Sequence, residues 1–246
     1  MLFFQIFKHK SVFVKFMGAK IMEKTPLKFI CVFWCCMVSF SINAQVMEDR
    51  DGRPILDRRY TDVQGSPFFA DSWIKGSVKM QNGKSYSAVE LKYDQVADEL
   101  LFKNAKGEML NFVDPVQEFR LFTADQPDAA VLLFRNGYKP VIEASAKAFY
   151  QILSDGQTPF AKRLNKKMLE RTPYGSATVI RTFEEIPTYY VIKNGLPVKI
   201  RKDRKSLFAA LGDYPDELEE FITAKNLNLK SDADFIMLMN FYNSLK

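Results

Sequence analysis

Residues 73–121 decide the fold, and they read WIKGSVKMQNGKSYSAVELKYDQVADELLFKNAKGEMLNFVDPVQEFRL. Apolar and polar residues alternate along short segments, as in Val89-Glu90-Leu91-Lys92-Tyr93, which is the pattern of a half-buried strand. Turn residues separate these segments. Asn82-Gly83 predicts a hairpin with a type I′ turn, because both central residues of that turn need a positive φ. The stretch therefore predicts an antiparallel meander of about five strands.

The same pattern continues to about residue 200. We predict further strands at residues 130–135, 149–153, 188–193 and 196–201. Residues 158–170 are ambiguous, since Phe160, Leu164 and Met168 recur every four residues as on a helix. The preceding Asp155-Gly156 is a hairpin signal, and it favours a strand there.

Helical patterns begin at Asp203, which predicts a helix cap, and Gly212 predicts the end of that helix. Pro215 suits the first position of a second helix. Ser231 and Asp234 resemble a capping box, with Asp in place of Glu. The sequence thus predicts an α+β fold, mainly antiparallel β. Residues 65–202 would form a meander, sandwich-like or barrel-like domain, and residues 203–246 a C-terminal helical tail that packs on it or on a partner.

The first 44 residues are predicted to be a leader. Residues 29–40 form an apolar run preceded by Lys24 and Lys28 and followed by Ala44, as in a secretory signal peptide. The run is shorter than the roughly 20 residues of a transmembrane helix. We predict cleavage after Ala44 and a true start at Met22; an uncleaved N-terminal anchor is the alternative. Residues 45–64 have few apolar residues and are predicted to form an extended arm.

Removal of the leader changes the charge and the available chemistry. The whole chain carries +6, but residues 45–246 hold 29 Lys/Arg and 28 Asp/Glu, so nucleic acid is not an expected partner. His9, Cys31, Cys35 and Cys36 all lie in the leader. An exported chain without them cannot build a Ser-His-Asp or Cys-His nucleophile, nor a zinc site of His and Cys. We expect no metal and no cofactor.

Residues 157–205 form the most basic segment, with 12 Lys/Arg against 4 Asp/Glu. One interpretation is an anion-binding face for a phosphorylated headgroup, an acidic glycan or another anionic envelope component. Its candidate binding residues are Arg163, Lys166, Lys167, Arg201, Lys202 and Arg204. The alternative is a set of solvated strand faces, against which the acidic residues of the helical tail lie.

Three groups of carboxylates raise an enzymatic alternative, a hydrolase that cleaves glycans with carboxylates only. These groups are Glu184-Glu185, Asp94 with Asp98-Glu99, and Glu217 with Glu219-Glu220. None has a diagnostic spacing. The second is most simply a turn between two strands, and the third is a solvated helix face. We assign no catalytic residue.

Several segments resemble a family of exported envelope proteins of Gram-negative bacteria that has no assigned activity. The resemblance lies in Gly65-Ser66-Pro67-Phe68, in residues 76–102, and in residues 227–234 and 241–245. It implies export and a similar fold, and it transfers no site residue.

Export, charge and the missing residue types together predict a non-catalytic cell-envelope protein with a binding or structural role. Its partner would be another envelope protein or an anionic surface. It would touch a membrane only through an uncleaved leader. Its destination could be the periplasm, the outer surface or the medium.

Overall fold

The structure is a computed structural model, and it describes residues 52–54, 60–123 and 131–246. The predicted leader, with its start at Met22 and its cleavage after Ala44, lies outside the described residues. Of the predicted arm, only residues 52–54 and 60–64 are described.

The described residues form twelve strands of one sheet. Their bounds are β1 Gly52–Pro54, β2 Val63–Gln64, β3 Ile74–Met80, β4 Ser85–Asp94, β5 Glu99–Lys103, β6 Met109–Phe112, β7 Val116–Phe122, β8 Val131–Arg135, β9 Tyr150–Ser154, β10 Phe160–Arg171, β11 Ile180–Lys193 and β12 Leu196–Ile200. The strand at residues 158–170 confirms the preference for a strand over a helix there.

The strand order is β1-β6-β5-β4-β3-β7-β8-β9-β10-β11-β12, and each neighbouring pair is antiparallel. Strand β2 lies off this path and pairs in parallel with β11. The sheet is open, because the described strands at the two ends of the path do not pair with each other. This confirms the mainly antiparallel α+β prediction, while the sheet does not close as a barrel would.

Two Asn-Gly turns behave differently. Asn194 and Gly195 both have positive φ, 51° and 74°, as a type I′ turn requires. The hairpin at Asn82-Gly83 forms, but the type I′ prediction is wrong, since only Gly83 has a positive φ (87°). The Asn82 side chain accepts a hydrogen bond from the Lys84 N–H at 3.0 Å, an Asx turn that suits a three-residue loop with glycine in the left-handed position.

The first half of the sheet has its own core. Alternate residues of β3 to β8 share one face, and they include Val78, Leu91 and Tyr93. Phe119 and Phe134 stack across neighbouring strands with ring centroids 4.6 Å apart. The predicted inward face of residues 89–93 is thereby confirmed, because the alternation places it on this core.

Three helices follow the sheet: α1 Arg204–Leu211, α2 Pro215–Lys225 and α3 Asp232–Ser244. Asp203 caps α1 by accepting from the Ser206 N–H at 2.7 Å, and Gly212 ends it with φ 75°. Both were predicted.

The predicted capping box at α3 is wrong. Ser231 is the N-cap residue but makes no side-chain cap hydrogen bond. Asp234 instead accepts from the Asn228 N–H at 2.8 Å and so holds the loop before the helix. A carboxylate that is committed to this loop cannot reach back to the N-cap N–H, as a capping box requires.

The helices cover one face of strands β9 to β12. Phe160, Val191 and Ile200 of the sheet form one cluster with buried residues of all three helices. Leu207, Leu218 and Leu238, for example, have no exposed surface. The tail therefore packs on the sheet. Among the described residues, no helix has the length and the apolar character needed to cross a membrane.

Strands β10 and β11 extend beyond their neighbours as a two-stranded ribbon. β9 pairs with β10 only as far as Lys162, and β12 pairs with β11 only from Tyr189 onward. The short strand β2 joins the ribbon at Arg181 and Thr182, whereas β1 pairs with β6. The described parts of the arm thus pair at two separated places in the sheet.

Candidate functional site

Two of the six predicted anion-binding residues are paired with the helical tail. Lys202 lies 2.7 Å from Asp232, which Lys162 approaches at 3.5 Å, and Arg204 lies 2.8 Å from Glu219. The tail's acids lie against these bases, as the alternative interpretation of the basic segment expected.

The other four predicted anion-binding residues do not form one group, because they differ in their contacts and in their exposure to solvent. Lys166 donates to the carbonyl oxygens of Ser66 and Phe68 at 3.0 and 2.5 Å, so it holds the chain that leads into β3. Arg201 and Lys167 are exposed. Arg163 is buried, with 7% of its surface exposed. Of these four residues, Arg163 donates to the backbone carbonyl of Glu143, and Lys167 lies four residues further along the same strand.

Around Arg163 lies a set of polar side chains that we call the polar cluster: Glu143, Tyr150, Arg163, Tyr190 and Lys199. Four of them come from adjacent strands, β9 to β12. Tyr190 pairs with Lys199, and the pairs Lys162–Gln151 and Ala161–Tyr190 set the register between the other strands. Because cross-strand partners point to the same face, all four side chains lie on the face opposite the helices.

Glu143 comes from residues 136–149, the connector between β8 and β9. Val141 and Ala144 form a tight backbone bridge around it. Ala144 and Ala148 are buried against this face of the sheet, in the same apolar cluster as Tyr150 and Tyr190. Small side chains let the connector approach the sheet closely, and the turn then directs Glu143 toward the polar groups of the strands.

The carboxylate of Glu143 is held from two sides. Lys199 Nζ lies 2.6 Å from Oε1 and 2.8 Å from Oε2, and the Tyr190 hydroxyl donates to Oε2 at 3.3 Å. The backbone carbonyl of Glu143 accepts from Arg163 Nη1 at 2.8 Å. The hydrogen bond from Lys199 lowers the pKa of the Glu143 carboxyl. Glu143 is therefore an anion at neutral pH.

The guanidinium of Arg163 has a second partner at the inner end of the cluster. It forms an ion pair with Asp98, in which Arg163 Nη2 donates to Oδ2. The Tyr93 hydroxyl donates to the other oxygen of Asp98 at 2.6 Å. Burial raises the pKa of Tyr93 well above its ordinary value, and the negative charge of Asp98 adds a smaller increase. The Asp98 carboxylate is thus taken up by two donors.

Two donors of the polar cluster are buried without an acceptor. Arg163 Nε and the Tyr150 hydroxyl have no hydrogen-bond partner among the described residues, although Tyr150 is only 1% exposed. The register places these two residues on adjacent strands, one position beyond the pair Lys162–Gln151. An unsatisfied buried donor costs about 1–3 kcal/mol, so two side by side indicate a place for an acceptor oxygen.

The protonation states make the cluster a donor site. Burial raises the pKa of Tyr150 to about 12, and burial also raises the pKa of Tyr190. Both phenols therefore keep their protons at neutral pH and serve as hydrogen-bond donors, not as bases. A site with a guanidinium, an ammonium group and neutral phenols suits the binding of an anionic oxygen group.

Asp94, Asp98 and Glu219, three of the carboxylates considered for catalysis, have structural partners. Asp94 accepts from the Val96 and Ala97 N–H groups, each at 2.9 Å, and from the Tyr60 hydroxyl at 2.8 Å. This confirms the turn between β4 and β5. Within residues 52–54, 60–123 and 131–246, no three or more His, Cys, Asp and Glu side chains are grouped so that they could hold a metal ion.

Comparison with known proteins gives no match to a family model, to a curated protein or to a solved structure. Of the polar cluster, sequence reasoning found Arg163 but missed Glu143, Tyr150, Tyr190 and Lys199. The signal for Arg163 was its place in a basic segment that the sequence predicts to be a strand. The other members become neighbours through the order of four strands.

Proposed function

We propose that this is an exported, non-catalytic binding protein of the cell envelope, and that its ligand carries an anionic oxygen group. The polar cluster would receive that group. The observation that carries this proposal is the pair of buried donors, Arg163 Nε and the Tyr150 hydroxyl, which lack an acceptor among the described residues. The predicted leader supports export, and a binding or structural role in the envelope would not need a catalytic group.

The charges around the cluster support an anion over a neutral acceptor. The cationic donors of the cluster are Arg163 and Lys199, which also contact Asp98 and Glu143. A hydrogen bond to a charged group contributes about 1.5–3 kcal/mol, more than one between neutral groups. An anion would therefore gain more at this place than a carbonyl or hydroxyl oxygen.

Binding is tested by titrating the purified protein with acetate and with inorganic phosphate in a calorimeter. We expect saturable binding, which weakens as salt is added because the charges at the rim are screened. Tyr150→Phe removes one of the two donors and no charge, so it should weaken the anion's affinity roughly tenfold. Tyr174→Phe, at the fully exposed tip of the ribbon, is the matched control and should leave affinity unchanged.

Two results would contradict the proposal. One is the absence of any saturable anion binding. The other is equal anion affinity in wild-type protein and the Tyr150→Phe variant. The glycan hydrolase stays an alternative without a supporting contact, because Asp94 and Asp98 are both committed to donors of their own.

A further inference from the structure

We propose that the ligand's anionic group is a carboxylate, and that Glu143 holds the outer donors of its site, Lys199 and Tyr190, until the ligand displaces it. This inference rests on the proposed function, since it concerns the same site. It identifies the connector as an internal competitor for the ligand.

The first step is the way in which Glu143 is held. Lys199 Nζ contacts both carboxylate oxygens, and Tyr190 donates to one of them. This is how a site binds a free carboxylate, with an ammonium across both oxygens and a neutral donor fixing one. The protein's own side chain thus shows which group the outer part of the cluster fits.

The second step concerns access. The side chains of Glu143 and Lys199 are 49% and 55% exposed, so the outer end of the cluster meets solvent. Arg163 and Tyr150 form the buried inner end. An exposed ion pair is worth little in water, so Glu143 can leave its place at small cost.

The third step is what Glu143 releases when it leaves. Lys199 Nζ and the Tyr190 hydroxyl lose their acceptor, and they join Arg163 Nε and the Tyr150 hydroxyl, which have no acceptor in the described part of the chain. Displacement of the Glu143 backbone would also free Arg163 Nη1. Four donors of the cluster, with Arg163 Nη1 as a fifth, would then lack an acceptor, while Asp98 stays paired with the guanidinium.

With competition of this kind, the apparent affinity equals the intrinsic affinity multiplied by the fraction of molecules in which Glu143 is out of the site. Removal of the internal carboxylate should therefore raise affinity without any new contact to the ligand. Organic acids, uronic sugars and peptide C-termini all carry the required group. The size of the molecule beyond its carboxylate distinguishes these sources.

The experiment compares wild-type protein with Glu143→Gln and Glu143→Ala. Each is titrated with acetate, glucuronate, a tripeptide with a free C-terminus and inorganic phosphate. We expect both variants to bind the carboxylate probes about two- to sixfold more tightly than wild-type protein, which is the range that an exposed ion pair allows. Phosphate should gain less, because its shape differs from that of the displaced group. The probe with the largest gain identifies the source of the carboxylate.

Glu217→Ala is the matched control, because it removes the same charge from an exposed position in the first turn of α2. It should change affinity less than twofold, the size of a long-range charge effect. Glu143→Gln keeps the size of the side chain, so it separates loss of charge from loosening of the connector.

The outcomes separate the two proposals. If wild-type protein binds anions and the Glu143 variants bind them no more tightly, the internal competitor is refuted while the proposed function stands. If the variants favour phosphate over every carboxylate, the ligand class is wrong. If no protein binds any probe, the proposed function fails as well.

Discussion

Replacing Tyr150 by phenylalanine should make the protein more stable when no anion is present. The ring is 1% exposed and contacts Tyr138 and Tyr190 edge to face, with centroids 5.5 and 5.2 Å away. Phenylalanine keeps this ring and these contacts. It removes only the hydroxyl, which has no hydrogen-bond partner among the described residues.

The size of the effect follows from two opposed contributions. A buried hydroxyl without a partner costs about 1–3 kcal/mol, and the substitution removes that cost. The lost oxygen leaves a small gap, which costs somewhat less than the roughly 0.5–1.5 kcal/mol of a deleted methylene. We expect the free energy of unfolding to rise by about 1 kcal/mol. For a chain of this size, that corresponds to a rise in melting temperature of about 2–4 °C.

The measurement is urea unfolding of wild-type and variant protein in a buffer of low anion content, repeated with saturating acetate. Without acetate the variant should be the more stable; with acetate its advantage should shrink, because the ligand satisfies the hydroxyl of the wild-type protein. A variant that is less stable than wild-type protein in the absence of anion would refute the reasoning. The hydroxyl would then have an acceptor of its own, such as a buried water.

Three further predictions concern the elements around the site. Asp98→Ala leaves the buried guanidinium of the polar cluster without its carboxylate and should cost about 3–5 kcal/mol in chemical denaturation. Leu238→Ala should cost about 2–5 kcal/mol, because Leu238 lies fully buried on the inner side of α3. Met237→Ala, on the exposed side of the same helix, should cost under about 0.5 kcal/mol. The hydrogen bond from Arg135 lowers the pKa of Asp155, so this carboxylate stabilises the fold above its unfolded pKa of about 3.9. Wild-type protein should therefore be more stable than Asp155→Asn above that pH and should lose this extra stability as the pH falls through the lower pKa of the folded state. Extra stability that persists at still lower pH would contradict the ion pair.

The regular parts of the fold were predictable because local physics determines them. Strands with clean alternation, such as Val89-Glu90-Leu91-Lys92-Tyr93, must bury one face. Asp203 and Gly212 bound α1 because a carboxylate satisfies the first N–H groups and glycine accepts the left-handed conformation. These signals need no knowledge of distant residues.

The polar cluster was not predictable in the same way. The sequence proposed Arg163 and Lys167 as binding residues because they are charged. It proposed Lys166 and Lys202 on the same ground, and the structure gives these two lysines structural partners. What distinguishes Arg163 is its position beside Tyr150, which depends on β9 and β10 being neighbours. Glu143 lies in a connector without periodicity.

The two wrong details share a cause. At Asn82 and at Asp234, a polar side chain bonds to a nearby backbone N–H of the loop and so selects a different local geometry. Both patterns are compatible with the predicted motif and with the observed one. Only the surrounding chain decides between them.

The parallel pairing of Val63 with Arg181 has a consequence for synthesis of the chain. The two residues lie more than a hundred positions apart, so the ribosome makes β2 long before its partner exists. Contacts between such distant segments form late and slow the overall rate. A nascent chain halted before β11 would keep β2 unpaired, and its backbone would be available to chaperones and proteases. This pairing can therefore form only after the chain has been synthesised as far as Thr182.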